Sequence, residues 1–191
     1  VKETELCQRH LGKYPVISLS MKDVEGGTYE NAVKKMSRVI KKEARRHQYL
    51  LESDRLTDID KDSLRELYTS CLGEDIQKGS LSLLSEMLCK HYNRRVIILI
   101  DEYDVPLDKA YQDGYYPQMI KLLRSFLSQA LKTNKNLEFA VLTGCLRIAR
   151  ESIFTGLNNF KVRSISDVQC AEYFGFTDGE VKEMLRYYDV E

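Results

Sequence analysis

The apolar positions of this chain fall into two rhythms that alternate along its length. Short β-branched runs mark strands at Tyr14 to Leu19, Val96 to Ile100 and Leu137 to Leu142. Between them, apolar residues recur every three or four positions and mark helices. Val33, Met36, Ile40 and Ala44 set a long helix over Tyr29 to Leu51, after a polar, glycine-bearing loop from Asp23 to Gly27. A polar connector from Leu51 to Asp62 follows. Leu64, Leu67, Tyr68 and Leu72 set a second helix, which begins at Asp62 or Ser63 and is stopped by Gly73. Leu81, Leu84, Leu88 and Tyr92 set a third, opened at Gly79-Ser80 and broken at Asn93. Pro106 and Gly114 make Asp104 to Tyr116 read as a loop. Pro117 suits a first helical turn, and Ile120, Leu123, Leu127 and Leu131 carry that helix to about Lys132. Beyond the third strand lie a helical stretch from Leu146 to Phe154 and a weaker fourth strand from Lys161 to Ile165. A last helix, Asp178 to Tyr188, stands behind the capping-box pair Thr177 and Glu180. Strands alternating with helices in this way predict an α/β fold with a parallel sheet flanked by helices.

Composition narrows this picture a little. A length of 191 residues suits one domain, or one domain with a small appendage. With 43% hydrophobic and 30% charged residues the chain can bury a core and keep a polar surface. Lys plus Arg and Asp plus Glu both number 29, so net charge argues neither for nor against nucleic acid. No apolar run approaches a membrane span. Cys7, Cys71, Cys89, Cys145 and Cys170 are scattered and odd in number, which fits a reduced, cytoplasmic chain. His10, His47 and His91 are isolated, so zinc spacing is missing. The chain opens at Val1 on a charged stretch unlike a signal peptide, and is expected to be a piece of a longer polypeptide.

Candidate chemistry sits where strands end. In parallel α/β sheets, ligands bind at the C-terminal ends of the strands. RRVIILIDEYDVPL, residues 94 to 107, runs five apolar residues straight into Asp101 and Glu102. Two adjacent carboxylates there are costly unless they meet a cation or a usable water. This is the layout of a Walker B element, in which one carboxylate holds Mg²⁺ and the next orients the attacking water. Thr143-Gly144 ends the following strand and fits a sensor of the γ-phosphate or the attacking water, with Arg147 and Arg150 within reach of an anion beyond it. Each feature also has a plain reading: a strand-end turn with solvated carboxylates, a common strand-end threonine, helix-surface arginines. The conjunction carries the case, because one intervening helix would bring the two strand ends together. DEYD at 101 to 104 also looks like the D-E-x-D element of helicases, though Asp104 and Asp108 fit better as loop carboxylates capping the next turn. Lys34, Lys35, Arg38, Lys41, Lys42, Arg45 and Arg46 form a basic helix face that could grip phosphates. No aromatic residues interleave with them, so a solvated face is the simpler reading.

Several segments together resemble the bacterial predicted AAA-ATPase-like family. They are LIDEYDVPL at 99–107, GYYPQMIKLLRSFLSQALK at 114–132, LEFAVLTGCLRIARESIFTGLNNF at 137–160 and EYFGFTDGEVKEML at 172–185. LGKYPVISLSMKDV at 11–24 is similar to the family's second strand. The resemblance implies a phosphate-loop NTPase fold that uses ATP and Mg²⁺, with Asp101 as the magnesium residue, Glu102 as the catalytic base and Thr143 as the sensor. It implies a truncated core over 1–168 and the start of a helical lid over 169–191. One part of the pattern is missing. None of the glycines opens a G-x-x-x-x-G-K-[ST] loop, and Gly12-Lys13 is followed by Tyr14. ATP is therefore expected to lack its phosphate cradle, and the chain by itself to be inactive. In the implied fold the loop's strand sits centrally, between the Thr143 strand and the last strand. Its absence predicts two unpaired edges and a gap filled by Val1 to Leu11, by a swapped partner chain, or by direct pairing of the flanking strands. The alternative function is a non-catalytic scaffold that engages nucleic acid or protein.

Overall fold

The computed structural model describes residues 4–69, 73–145, 161–163 and 175–189. The chain divides into two compact units, Val1–Leu157 and Asn158–Glu191.

The first unit is built on three parallel strands: β1 (Val16–Ser20), β2 (Val96–Asp101) and β3 (Leu137–Leu142), in the order β1-β2-β3. All three lie where the β-branched runs predict. Ile17 and Leu19 of β1 and Val96, Ile98 and Ile100 of β2 are buried, alternating with residues that are not, as a pleated strand requires. A short helix α1 (Thr4–His10) precedes β1. Helix α2 (Tyr29–Arg46), a 3₁₀ turn (Gln48–Glu52), α3 (Asp58–Thr69) and α4 (Glu74–Tyr92) join β1 to β2. Helices α5 (Val105–Gln112) and α6 (Tyr116–Leu131) join β2 to β3. α2 packs on β1, and α4 packs on α6.

The helices begin and end for legible reasons. Thr28 caps α2 by accepting the Asn31 N–H at 3.3 Å, and Ala32, Met36, Ile40 and Ala44 face the core. Glu43, also on that face, accepts the Ser18 N–H from β1 at 2.8 Å and a hydrogen bond from Arg46 at 2.8 Å. His47 Nε2 lies 3.2 Å from the same carboxylate. This buried carboxylate ties the outer edge of β1 to the helix that covers it. Asn93 ends α4 in the left-handed region at φ 51°, a common helix stop.

Five readings differ from expectation. Helix α2 ends at Arg46, five residues before Leu51, and the 3₁₀ turn Gln48–Glu52 takes over from it. Helix α3 starts at Asp58, four residues before Asp62, because Thr57 and Asp60 cap each other across 3.1 and 3.2 Å. Helix α4 starts at Glu74, and takes Gly79 into its interior, with Glu74 and Asp75 favouring its N-terminal dipole. Asp104 to Tyr116 is no simple loop: α5 occupies most of it, since Pro106 in the first turn lacks only an N–H the helix does not use. The inner face of α6 is turned from Ile120 and Leu131, both half-buried, to Met119, Leu122, Leu123, Phe126, Leu127 and Ala130.

One of the three occupants expected at the open sheet edge is excluded. Thr4–His10 is a helix, so that part of the N-terminal segment fills no strand position. Among the described residues nothing pairs with the outer side of β3, and Phe139 on it is 58% exposed. Residues 161–163 carry no strand, and the rest of the expected fourth strand and the helix expected over 146–154 lie outside the described residues.

In the second unit, α7 (Asp178–Tyr187) forms behind its capping box. Thr177 accepts the Glu180 N–H at 3.3 Å, and Glu180 accepts the Thr177 N–H at 2.9 Å. Among the described residues no helix is long and apolar enough to cross a membrane.

Candidate functional site

The ends of β2 and β3 are stitched together by backbone. The Thr143 N–H donates to Ile100 O at 2.9 Å, and the Tyr103 N–H donates back to Thr143 O at 3.2 Å. On the other side, the Met21 N–H donates to Asp101 O at 2.9 Å. Asp101 and Thr143 therefore emerge side by side at the C-terminal edge of the sheet, both exposed. The Thr143 hydroxyl donates directly to Asp101 Oδ1. Asp101 thus has one carboxylate oxygen oriented by the protein.

Glu102 is the strained member of the group. It turns the chain at φ 54°, in the left-handed region that costs an ordinary L-residue about 1–2 kcal/mol. Its Oε2 is buried and, among the described residues, has no hydrogen-bond partner. A carboxylate oxygen held out of water without a donor is unfavourable for folding alone. Backbone strain and an unmet acceptor therefore fall on one residue, next in sequence to a second carboxylate.

The next two residues lock this turn. Asp104 is only 2% exposed, and its carboxylate lies over Gly144. A Cβ at position 144 would meet Asp104 Oδ1 at 2.6 Å and Tyr103 Cε1 at 2.9 Å, so only glycine fits. Burial, and then the Asp104 charge, push the Tyr103 hydroxyl's pKa up, which keeps that group neutral. Gly144→Ala is expected to destabilise the fold by about 1–3 kcal/mol, because a buried carboxylate and a ring must both shift. A urea midpoint equal to the parent's would show that the neighbours give way freely.

Of the sequence-predicted site residues, the structure brings Asp101 and Thr143 into contact, and Glu102 follows Asp101 directly in the chain. Arg147 and Arg150 lie outside the described residues. Asp104 faces Gly144 rather than the sheet mouth, against its use in a helicase-like D-E-x-D set, and Asp108 accepts a hydrogen bond from Gln112 at 2.9 Å. Sequence reasoning missed the Asp104–Gly144 lock; the glycine directly after Thr143 was its trace. Among the described residues no three His, Cys, Asp or Glu side chains gather as a metal cage. A single carboxylate backed by a hydroxyl suits Mg²⁺, which keeps most of its waters and takes one or two carboxylates.

The family model described as predicted AAA-ATPase matches residues 1–154. The chain belongs to the predicted AAA-ATPase family. Family membership and the parallel sheet agree on an α/β core of nucleotide-binding type. A curated relative, "Uncharacterized protein in vnfD 5'region" of Azotobacter chroococcum mcd 1, is 32% identical over 88 residues. That match takes in 46% of this chain and 17% of the relative, so the chain spans under a fifth of that protein. No solved structure matches.

Proposed function

We propose that Asp101, Glu102 and Thr143 are the metal- and water-handling half of an ATP-hydrolysing site. The observation that supports this best is the pairing of Thr143 with Asp101 across two strand ends; Glu102 follows directly in the chain, with an oxygen that is buried and, among the described residues, unpartnered. Mg²⁺, when bound, would neutralise charge on the β- and γ-phosphates. Asp101 would hold it, in part through its waters, with Thr143 fixing the carboxylate's orientation. Glu102 would accept a proton from a water aligned on the γ-phosphorus. The water oxygen then bonds to phosphorus as the bond to the β–γ bridging oxygen breaks, and ADP leaves with that electron pair.

The phosphate cradle is not among these 191 residues, since no G-x-x-x-x-G-K-[ST] element occurs. In this reading a strand carrying such a loop pairs with the open side of β3, and α7 belongs to a lid beyond the core. The outer side of β3, unpaired among the described residues, leaves room for that neighbour.

The test compares the chain alone with a longer polypeptide that supplies the loop. The chain alone is expected to show no Mg²⁺-dependent ATP hydrolysis, and the longer form to show it. Thr143→Val in the longer form is expected to cost about 10–100-fold in activity, the usual effect of removing a group that orients a metal ligand. Hydrolysis by the chain alone, or a Thr143→Val rate equal to the parent's, would overturn the assignment.

A further inference from the structure

A second site lies at the opposite end of the sheet. A cavity of about 440 Å³ opens where β1 and β2 begin, beside the C-terminus of α2. Lys13, Arg46 and Arg94 supply its cations, and Tyr14, Tyr49 and Tyr92 its rings. None of its lining residues is acidic. These residues are scattered in sequence, and only the fold gathers them.

Both guanidinium groups are held in place before any ligand arrives. Arg94 donates to Lys13 O at 3.1 Å and sits 5.5 Å from the centre of the Tyr14 ring. Arg46 is fixed by Glu43 at 2.8 Å, yet its side chain stays 57% exposed. Val16 lines the cavity too, two residues before Ser18. By strand alternation its N–H points to the same outer edge as the Ser18 N–H that Glu43 takes. The rings are fixed as well. The Tyr49 and Tyr92 hydroxyls are 2.9 Å apart, and the rings meet at 72°. Tyr92 remains 47% exposed and Tyr49 41%, so ring surface is left for a ligand.

A wall of N–H donors and cations calls for an anion, and exposed aromatic faces call for a flat, stackable group. A nucleotide unit carries both. The surroundings extend this demand. Lys34, Arg38, Lys42 and Arg45 are exposed along α2, a helix of about 27 Å at 1.5 Å per residue, and the row ends at Arg46 in the cavity wall. A continuous basic track leading into an aromatic pocket fits a polymer of phosphates with splayed bases better than it fits a lone anion.

We propose that this face binds single-stranded nucleic acid, with one base stacked in the pocket against Tyr92, its phosphate on Arg94 and Arg46, and flanking phosphates along α2. The proposal is independent of the ATP site, which lies at the other end of the strands.

The test is fluorescence anisotropy of the 191-residue chain with a labelled oligothymidine and a labelled oligouridine, across a salt series. Binding at low salt is expected, weakening linearly in log salt. Lys13→Glu is the cleanest variant, because among the described residues its side chain makes no ion pair or hydrogen bond. It is expected to weaken binding and to lower the salt slope by about 0.7 for each phosphate that the protein no longer neutralises. Tyr92→Leu is expected to weaken binding at least about fivefold with the slope unchanged, as loss of one stacked base would. A thermal melt of each variant separates loss of binding from loss of fold. A duplex of the same sequence is expected to bind more weakly, since its bases stay stacked inside. No binding at low salt, equal binding of the duplex, or affinity that Lys13→Glu leaves unchanged would each overturn the proposal.

Discussion

Glu102→Gln is expected to lower ATP hydrolysis by about 10²–10⁴-fold, the usual contribution of a positioned proton acceptor, with ATP affinity retained. The setting is a longer polypeptide that carries the phosphate loop. The amide keeps the shape of the carboxylate and removes its ability to take the proton of the attacking water. Glu102 invites this test because it is poorly adapted to stability. Its backbone stands at φ 54° and its Oε2 is buried without a partner among the described residues. Glu102→Gly is therefore expected to raise stability by about 1 kcal/mol, by relieving the left-handed strain of a residue with a Cβ. The two outcomes belong together: a position that gains stability and loses turnover on substitution is held for its chemistry. Single-turnover hydrolysis and a urea melt measure them. A Glu102→Gln rate equal to the parent's would remove Glu102 from the base role.

Glu43→Ala is expected to cost about 2–4 kcal/mol, without any role in chemistry. The carboxylate is buried, and it serves the Ser18 N–H of β1, Arg46 and His47. Removing it leaves the β1 donor and the buried imidazole unmet, each worth about 1–3 kcal/mol. Arg46 is largely solvated and loses little. Burial alone would raise the pKa of Glu43, but the hydrogen bonds from His47, Ser18 and Arg46 outweigh it. The net effect holds the group below its ordinary value of 4.5. A carboxyl depressed by folding contributes stability above its unfolded pKa and loses it as pH falls through the folded one. The contribution should therefore be intact above about pH 4.5 and fade below it. Glu43→Gln should flatten that acid limb while keeping the Ser18 hydrogen bond. Urea midpoints across pH check both. An acid limb with the parent's slope in Glu43→Gln would assign the pH dependence elsewhere.

Much of the fold was legible along the chain. The three strands, the helix behind Thr28 and the capping box at Thr177 and Glu180 follow from side-chain period and local hydrogen-bonding chemistry, both of which act within a few residues. The misreadings were local too. Thr57 and Asp60 form a reciprocal cap that starts α3 early, and Pro106 opens a helix rather than preventing one. Both signals were present: the first lay inside a stretch read as a polar connector, and the second was read as a breaker.

The sequence by itself determined which residues end each strand, because apolar runs stop where the sheet meets water. That placed Asp101, Glu102 and Thr143 at one edge. Only the tertiary structure decided which of them touch. Asp101 and Thr143 are 42 residues apart, and their hydrogen bond depends on β2 and β3 being neighbours in parallel register. The burial of Asp104 against Gly144, and the gathering of Tyr14, Tyr49 and Tyr92 beside Arg46 and Arg94, are decided in the same way. Periodicity says which face a side chain turns outward. It does not say which element will stand opposite that face, since that follows from how the helices and strands pack.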